Sequence, residues 1–226
     1  MCPFCYMGKR KFERALEKFP HKDSLEITWK SFQLNPELIT DTTKSIYQYL
    51  SEVKGMDIQH AKDLNSQLAD DAKELGLELN FDKVIVANTL KAQKFVHLAA
   101  KEGVQDEAEE ALFKAFFKEG KNVDDIIVLT EIGNQLGLNT ENLDERLNAD
   151  SLYEEVRMDL YEAHQFRITG VPFFAFNRKF AVSGAQDPEV FFSTLTKAFA
   201  EWRTEMPVTE LVEVTGQVCS TDGNCN

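Results

Sequence analysis

Strand-forming pattern occurs only near the two ends of this chain, and that confines the folds open to it. Leu25-Glu26-Ile27-Thr28-Trp29-Lys30 alternates apolar and polar side chains, the period of a half-buried strand, and Asn35-Pro36 closes it in a turn. The signal returns at 171–176 and 180–182, two runs separated by the polar turn Asn177-Arg178-Lys179, as in a hairpin. From about residue 42 to 167 the apolar spacing is helical instead, punctuated by Gly76, Gly103, Gly120 and Gly137, which suit helix C-termini. Asp124 and Thr140 are the expected N-caps inside this block, and its last helix is expected over 151–165. A first helix over 3–19 carries Phe4, Phe12, Leu16 and Phe19 on its apolar face and is stopped by Pro20. A final helix opens at Asp187-Pro188-Glu189, a cap followed by a proline at the first helical position. The order is an α/β layout broken by a large all-helical insertion.

The chemistry concentrates in Cys2-Pro3-Phe4-Cys5, where the first helix begins. Disulfide exchange needs an exposed thiolate and a second thiol close enough to resolve the mixed disulfide. Free N–H groups at a helix start, and the positive end of its dipole, stabilise the thiolate of the first cysteine. The second cysteine, one turn on, lies within bonding reach. Cys2 is then the nucleophile and Cys5 the resolving thiol, with Pro3 starting the helix and Phe4 supplying an apolar rim for clients. The same spacing also suits a zinc knuckle, so Cys-x-x-Cys alone leaves redox and metal readings open.

Composition narrows the partners. A formal charge of −13 repels phosphate backbones, so no nucleic-acid partner is expected, and no apolar run is long enough to span a bilayer. His21, His60 and His97 share no ligand spacing, and His164 suits a surface or capping role. Acidic pairs such as Asp70/Asp71 and Asp124/Asp125 fall at helix ends or solvent faces and receive no acid–base role.

A second signal lies in Ile168-Thr169-Gly170-Val171-Pro172-Phe173-Phe174, where a proline must mark the start of a strand because it cannot sit inside a ladder. Cys-Pro-Phe-Cys opening a helix, then Gly-Val-Pro after a long helical insertion, resembles the DsbA family with its thioredoxin-like fold. Cys5-Tyr6-Met7-Gly8-Lys9-Arg10, Phe32-Gln33-Leu34-Asn35-Pro36, Asn88-Thr89 and Thr169-Gly170-Val171-Pro172-Phe173-Phe174 are similar to its FrnE-like branch, related to 2-hydroxychromene-2-carboxylate isomerases. The resemblance spans nearly all of the globular part. It implies an active site of Cys2, Cys5 and Pro172, with Val171 receiving substrate backbone and Asn88 and Thr89 lining the cleft. It also implies a cytoplasmic compartment.

The expected organisation is a thioredoxin-like domain from residues 1–40 and 168–202, a helical insertion over 41–167, and a tail over 203–226. The thioredoxin-like fold places a strand directly before the Cys-x-x-Cys helix, and only Met1 precedes Cys2, so that strand is expected upstream of this sequence. In the tail, Cys219 and Cys225 flank a turn at Asp222-Gly223. They read as an auxiliary redox pair, which the resemblance favours, or as a simple staple.

The expected activity is dithiol/disulfide exchange with protein clients or small thiols, with no metal and no cofactor beyond the cysteines; glutathione is an admissible co-substrate. Two alternatives stay open: a glutathione-dependent isomerase or transferase on the same scaffold, and a zinc-stabilised binding module. The sequence is compatible with a homodimer and does not set the oligomeric state.

Overall fold

The computed structural model describes residues 1–205, so Cys219 and Cys225 lie outside the described residues. Helix α1 (Pro3–Lys18) is followed by a short β1 (Asp41–Ser45) and then α2 (Ile46–Lys54) and α3 (Ile58–Glu74). The chain continues through β2 (Ile85–Val86), α4 (Leu90–Lys101), α5 (Gln105–Phe113), α6 (Ile126–Leu136), α7 (Leu143–Leu147) and α8 (Asp150–Gln165). It closes with β3 (Phe173–Phe176), β4 (Phe180–Ser183) and α9 (Pro188–Glu205). This is a thioredoxin-like fold carrying a helical insertion. Among the described residues no helix is long and apolar enough to cross a membrane.

Two hydrophobic cores form, and α1 takes part in both. Its outer half packs Phe12, Ala15 and Phe19 against Val182 of β4 and Phe191 and Leu195 of α9. Its first turns deliver Tyr6 and Met7 to the larger core of the insertion, around Phe95, Leu112, Phe117 and Leu129. Fully buried side chains of this size each contribute about 2 kcal/mol by leaving water. The cysteine-bearing end of α1 is thereby held against the insertion while the rest of the helix belongs to the hairpin.

That hairpin is antiparallel, with Phe174 opposite Val182 and Phe176 opposite Phe180. Asn177 and Arg178 both take positive φ at its turn. Arg178 is held there by an ion pair to Glu162 and by lying 4.9 Å over the Phe166 ring.

The expected strand at Leu25–Lys30 does not form a ladder. Side chains of the insertion take its backbone groups instead. The Gln105 carboxamide accepts from Trp29 N–H (3.0 Å) and donates to Trp29 C=O (3.1 Å), as a strand neighbour would. The Gln93 amide donates to Phe32 C=O at 3.2 Å. Asp159 accepts from Ser31 N–H (2.8 Å) and Lys30 Nζ (2.9 Å), and lies 3.1 Å from His97 Nε2.

The cluster at Asp159 brings together a serine, a histidine and two acids, but as a lock. Ser31 Oγ and Asp159 compete for the same ring nitrogen of His97, and Ser31 is buried. Burial alone would raise the Asp159 carboxyl, but His97, Ser31 N–H and Lys30 together hold it below the usual carboxylate range. Its contribution to stability is present above that range and is lost as the pH falls through the folded value.

Other local expectations shift in detail. The N-cap of α6 is Asp125, whose carboxylate accepts from Ile127 N–H, while Asp124 accepts from Thr40 Oγ1 at 2.6 Å. Asn142, not Thr140, precedes α7, and the Thr140 hydroxyl donates to Asn134 instead. The pair β1–β2 had no signal in the sequence, because two residues are too few to show a period. Gly55, Gly76, Gly103 and Gly137 all adopt left-handed backbone at or just beyond helix ends. A π-helical turn over Lys114–Lys118 continues α5, and the Phe117 carbonyl accepts from Asn80 N–H at 2.7 Å.

Candidate active site

Cys2 is the N-cap of α1, with extended backbone, and Pro3 occupies the first helical position. Nothing else about the first turn resists a helix, and Cys5 N–H bonds Cys2 C=O at 3.1 Å. Both cysteines are reduced and half-buried. The Cys2 thiol is lowered to about 7, first by a hydrogen bond from the Cys5 thiol. Burial opposes this, and the N–H groups of Cys5 and Phe4 and the Met1 amino group assist. The Cys5 thiol is pushed strongly upward, by its hydrogen bond to Cys2, by burial, and by the negative charges of Cys2 and Glu109. One sulfur is thus easily ionised and its neighbour is not.

Across from α1, the segment before β3 brings Val171 and Pro172 to the cysteines. Cys2 Sγ lies 3.7 Å from Val171 C=O. The Val171–Pro172 peptide is cis. Gly184 N–H bonds Pro172 C=O at 2.8 Å, tying the segment to the end of β4. Beside it a cleft of about 310 Å³ is lined by Arg167 to Phe173 with Ser183 and Gly184; neither cysteine lines it. Phe4 stands half exposed at the rim.

Two site features escaped the sequence reading. Gly8, buried on α1, faces this segment: a Cβ there would sit 3.0 Å from Pro172 Cγ and 3.3 Å from Phe174 Cζ. The missing side chain is what lets the cysteine helix approach Pro172. A glycine inside a strongly helical run was the available signal, since it costs about 1 kcal/mol against alanine without a packing reason.

The second is the acidic face of α5. Tyr6 donates to Glu110 (2.7 Å) and stacks on Phe113 (ring centroids 4.8 Å), and Lys9, almost fully buried, reaches Asp106 (3.0 Å) and Glu110 (3.3 Å). Lys9 also pairs with Glu13. Glu109, next to Glu110 on the same helix, is half-buried, and its carboxyl is pushed up to about 7 by desolvation and by the Asp106 charge, against the opposing charges of Lys9 and the Met1 amino group. Glu109 and Glu110 were not among the acidic residues singled out from the sequence. Their position three and four residues before Phe113 puts them on its side of the helix.

Asn88 and Thr89 spend their polar groups within the fold. The Asn88 amide donates to Leu38 C=O (2.7 Å), its carbonyl accepts from Leu90 N–H (2.8 Å), and Thr89 Oγ1 accepts from Gln93 (3.1 Å). His164 is exposed on α8. Among the described residues, no group of three or more His, Cys, Asp or Glu side chains is placed to hold a metal ion.

A dithiol at a helix start, with one lowered thiol beside a proline segment leading into a hairpin, defines a protein of the thioredoxin-like class. The chain belongs to the DSBA-like thioredoxin domain family, whose sequence model matches residues 1–196. It is 32% identical to a probable DsbA oxidoreductase from Streptomyces coelicolor, with a TM-score of 0.81 covering 100% of this chain and 94% of that one. A 2-hydroxychromene-2-carboxylate isomerase shares the fold at 15% identity, with a TM-score of 0.61 over 92% of this chain and 95% of that one. An uncharacterised protein of Bacillus subtilis, YwbO, is 29% identical over 199 residues, 84% of this chain and 89% of that protein.

Proposed function

We propose that this chain is a thiol–disulfide oxidoreductase working through Cys2 and Cys5. The observation that carries the reading is the pair of opposed thiols, with Cys2 lowered to about 7 and Cys5 raised, at 3.7 Å from the Val171 carbonyl. Cys2 thiolate attacks a client disulfide, a mixed disulfide forms, and Cys5 displaces the client thiolate while the two cysteines join. The backbone of Val171 pairs with an extended client segment, and its N–H bonds no other described residue. Pro172, Pro3 and the half-exposed Phe4 supply the apolar wall against which that segment lies.

Clients are protein or small-thiol disulfides in the cytoplasm, with no cofactor beyond the dithiol; Cys219 and Cys225 act as an auxiliary pair. Asn88 and Thr89 enter only as supports, given their internal bonds. The two cores support a thioredoxin-like domain of residues 1–40 with 168–202 and an insertion over 41–167. Two cysteines in the motif favour redox exchange over the isomerase chemistry.

Equilibration in glutathione buffers of graded ratio, with cysteine alkylation read by peptide mass spectrometry, tests this. Reversible formation of Cys2–Cys5 at a defined potential is expected, and that potential says whether the protein donates or removes disulfides. Thiols locked until zinc is chelated would overturn it.

Gly8→Ala probes the approach to Pro172. The helix gains about 1 kcal/mol in propensity, and crowding the rigid proline costs about 1–3 kcal/mol, so stability falls modestly. Turnover is expected to fall about tenfold, since sub-ångström displacement of a positioning segment is felt at the reacting atoms. Unchanged turnover would remove Gly8 from the site.

A further inference from the structure

Four helix ends among the described residues close with the same pair of backbone bonds. After α3, Gly76 N–H bonds Lys73 C=O and Leu77 N–H bonds Ala72 C=O; after α4, Gly103 N–H bonds Ala100 C=O and Val104 N–H bonds Ala99 C=O. After α6, Gly137 and Leu138 repeat the pattern on the carbonyls of Asn134 and Gly133. After α8, Arg167 N–H bonds His164 C=O and Ile168 N–H bonds Ala163 C=O, both at 2.9 Å. Such a turn needs one residue in left-handed backbone, which is why glycine fills that place at the first three ends. Arg167 takes the same conformation, with φ +56°, where a side chain is disfavoured. Closing the helix therefore gives no reason for an arginine here.

Nor does the fold hold its side chain. Arg167 is exposed, and its side chain makes no hydrogen bond, ion pair or ring contact with any described residue. The acids that precede it on α8 are taken: Glu162 by Arg178 and Lys30, and Asp159 by Lys30, His97 and Ser31 N–H. It is Arg178, not Arg167, that lies over the Phe166 ring. What Arg167 does border is the cleft of about 310 Å³ beside Val171 and Pro172. It is the single charged residue lining that cleft, alongside the hydroxyl residues Thr169 and Ser183.

A guanidinium without an internal partner, set at the edge of a client groove, suits a carboxylate, which it can grip with two parallel N–H donors. The formal charge of −13 repels acidic segments as a whole. Attraction at this one point therefore discriminates by where a client carries its acid, not by how acidic it is.

We propose that Arg167 pairs with an acidic side chain on the client segment lying along residues 169–171, so that disulfides flanked by such a residue on one side are preferred. The proposal rests on the oxidoreductase reading and names the client class of that site. Arg167 and Val171 are four positions apart, at most about 14 Å of extended chain, so the acid stands about three or four residues from the client cysteine. An exposed pair of this kind changes a rate constant by about three- to fivefold and weakens with salt.

The test uses two synthetic peptides of one composition, each with a single cysteine held in a disulfide with 2-mercaptoethanol. A Glu-Glu pair stands about three residues before the cysteine in one and about three after it in the other, so their net charges are equal. The reduced full chain is mixed with each, and the second-order rate constant for consumption of the peptide disulfide is read by quenching and mass spectrometry. Wild type is expected to react with one isomer about three- to fivefold faster at low ionic strength, the gap closing at about 0.5 M salt. Arg167→Gly should react with both alike while keeping its melting temperature, since glycine takes the left-handed position freely. Arg167→Glu should reverse the order. Equal rates in wild type, or the wild-type ratio kept by Arg167→Gly, overturn the proposal and leave the oxidoreductase reading standing. If wild type reduces neither peptide, the oxidoreductase reading falls and the proposal with it.

Discussion

Cys2→Ser is expected to abolish disulfide exchange, lowering turnover of a protein disulfide by at least about a thousandfold. A serine hydroxyl at this helix start keeps the hydrogen bonds of the Phe4 and Cys5 N–H groups but offers no thiolate near neutral pH. Cys5→Ser has a different signature. It leaves the nucleophile in place and removes the thiol that resolves, so a covalent adduct at Cys2 accumulates and the cycle stalls. In wild type, alkylation of Cys2 should rise with pH through an inflection near 7, well below that of a free thiol. In Cys5→Ser that inflection should move upward if the hydroxyl donates to the Cys2 thiolate more weakly than the Cys5 thiol. Turnover retained by Cys2→Ser would show that the motif is not the working pair.

Lys9→Met carries the largest expected loss of stability. The Lys9 side chain is only 4% exposed and its ammonium faces Glu13, Asp106 and Glu110, so a methionine leaves three carboxylates around an apolar side chain. Breaking a buried pair by removing one partner costs about 3–5 kcal/mol. Arg10 still pairs with Glu13 and Glu110, and the carboxylates are partly solvated, which brings the expectation to about 2–3 kcal/mol. For a domain of this size that is a fall in melting temperature of about 4–12 °C.

Burial lowers the Lys9 ammonium, and its bonds to Glu13 and Asp106 more than offset this, so its value is raised. By its own ionisation the Lys9 contribution is lost only as pH rises through the folded value, and toward acid it lasts as long as its carboxylate partners stay ionised. Glu110 is the mirror case. Burial would raise it, but Tyr6, Lys9 and Arg10 hold it below the ordinary range, so its contribution is lost as the pH falls through the folded value. The penalty of Lys9→Met should accordingly be larger at pH 7 than at pH 4, with Lys9→Arg restoring part of it. Thermal melts at the two pH values decide this; an equal shift at both would mean packing, not charge, is what Lys9 supplies.

Much of the framework was legible because it is written in local terms. The helix beginning at Pro3, its stop before Pro20, the hairpin around Asn177-Arg178 and the cap at Asp187 each follow from two or three adjacent residues. The cysteine pair and the Val171-Pro172 segment, 166 residues further along the chain than Cys5, were named together through a family resemblance, and the structure does bring Cys2 and Val171 into contact. The run at 25–30 misled because alternation reports which side chains are buried, not whether a neighbouring strand exists. There the backbone is met by Gln105, Gln93 and Asp159.

By itself the sequence determined the family, the succession of helices and strands, and the place where a thiolate meets a helix start, since each depends on neighbours in the chain or on a motif. Only the tertiary structure decided what surrounds that thiolate. Gly8 against Pro172, Lys9 among its carboxylates, and the Glu109 charge felt at Cys5 all depend on how α1 is laid against two separate cores. The reason is that electrostatic and packing effects act through space. A carboxylate about a hundred positions away in sequence shifts a thiol only when a helix register and a buried, low-dielectric contact put it there.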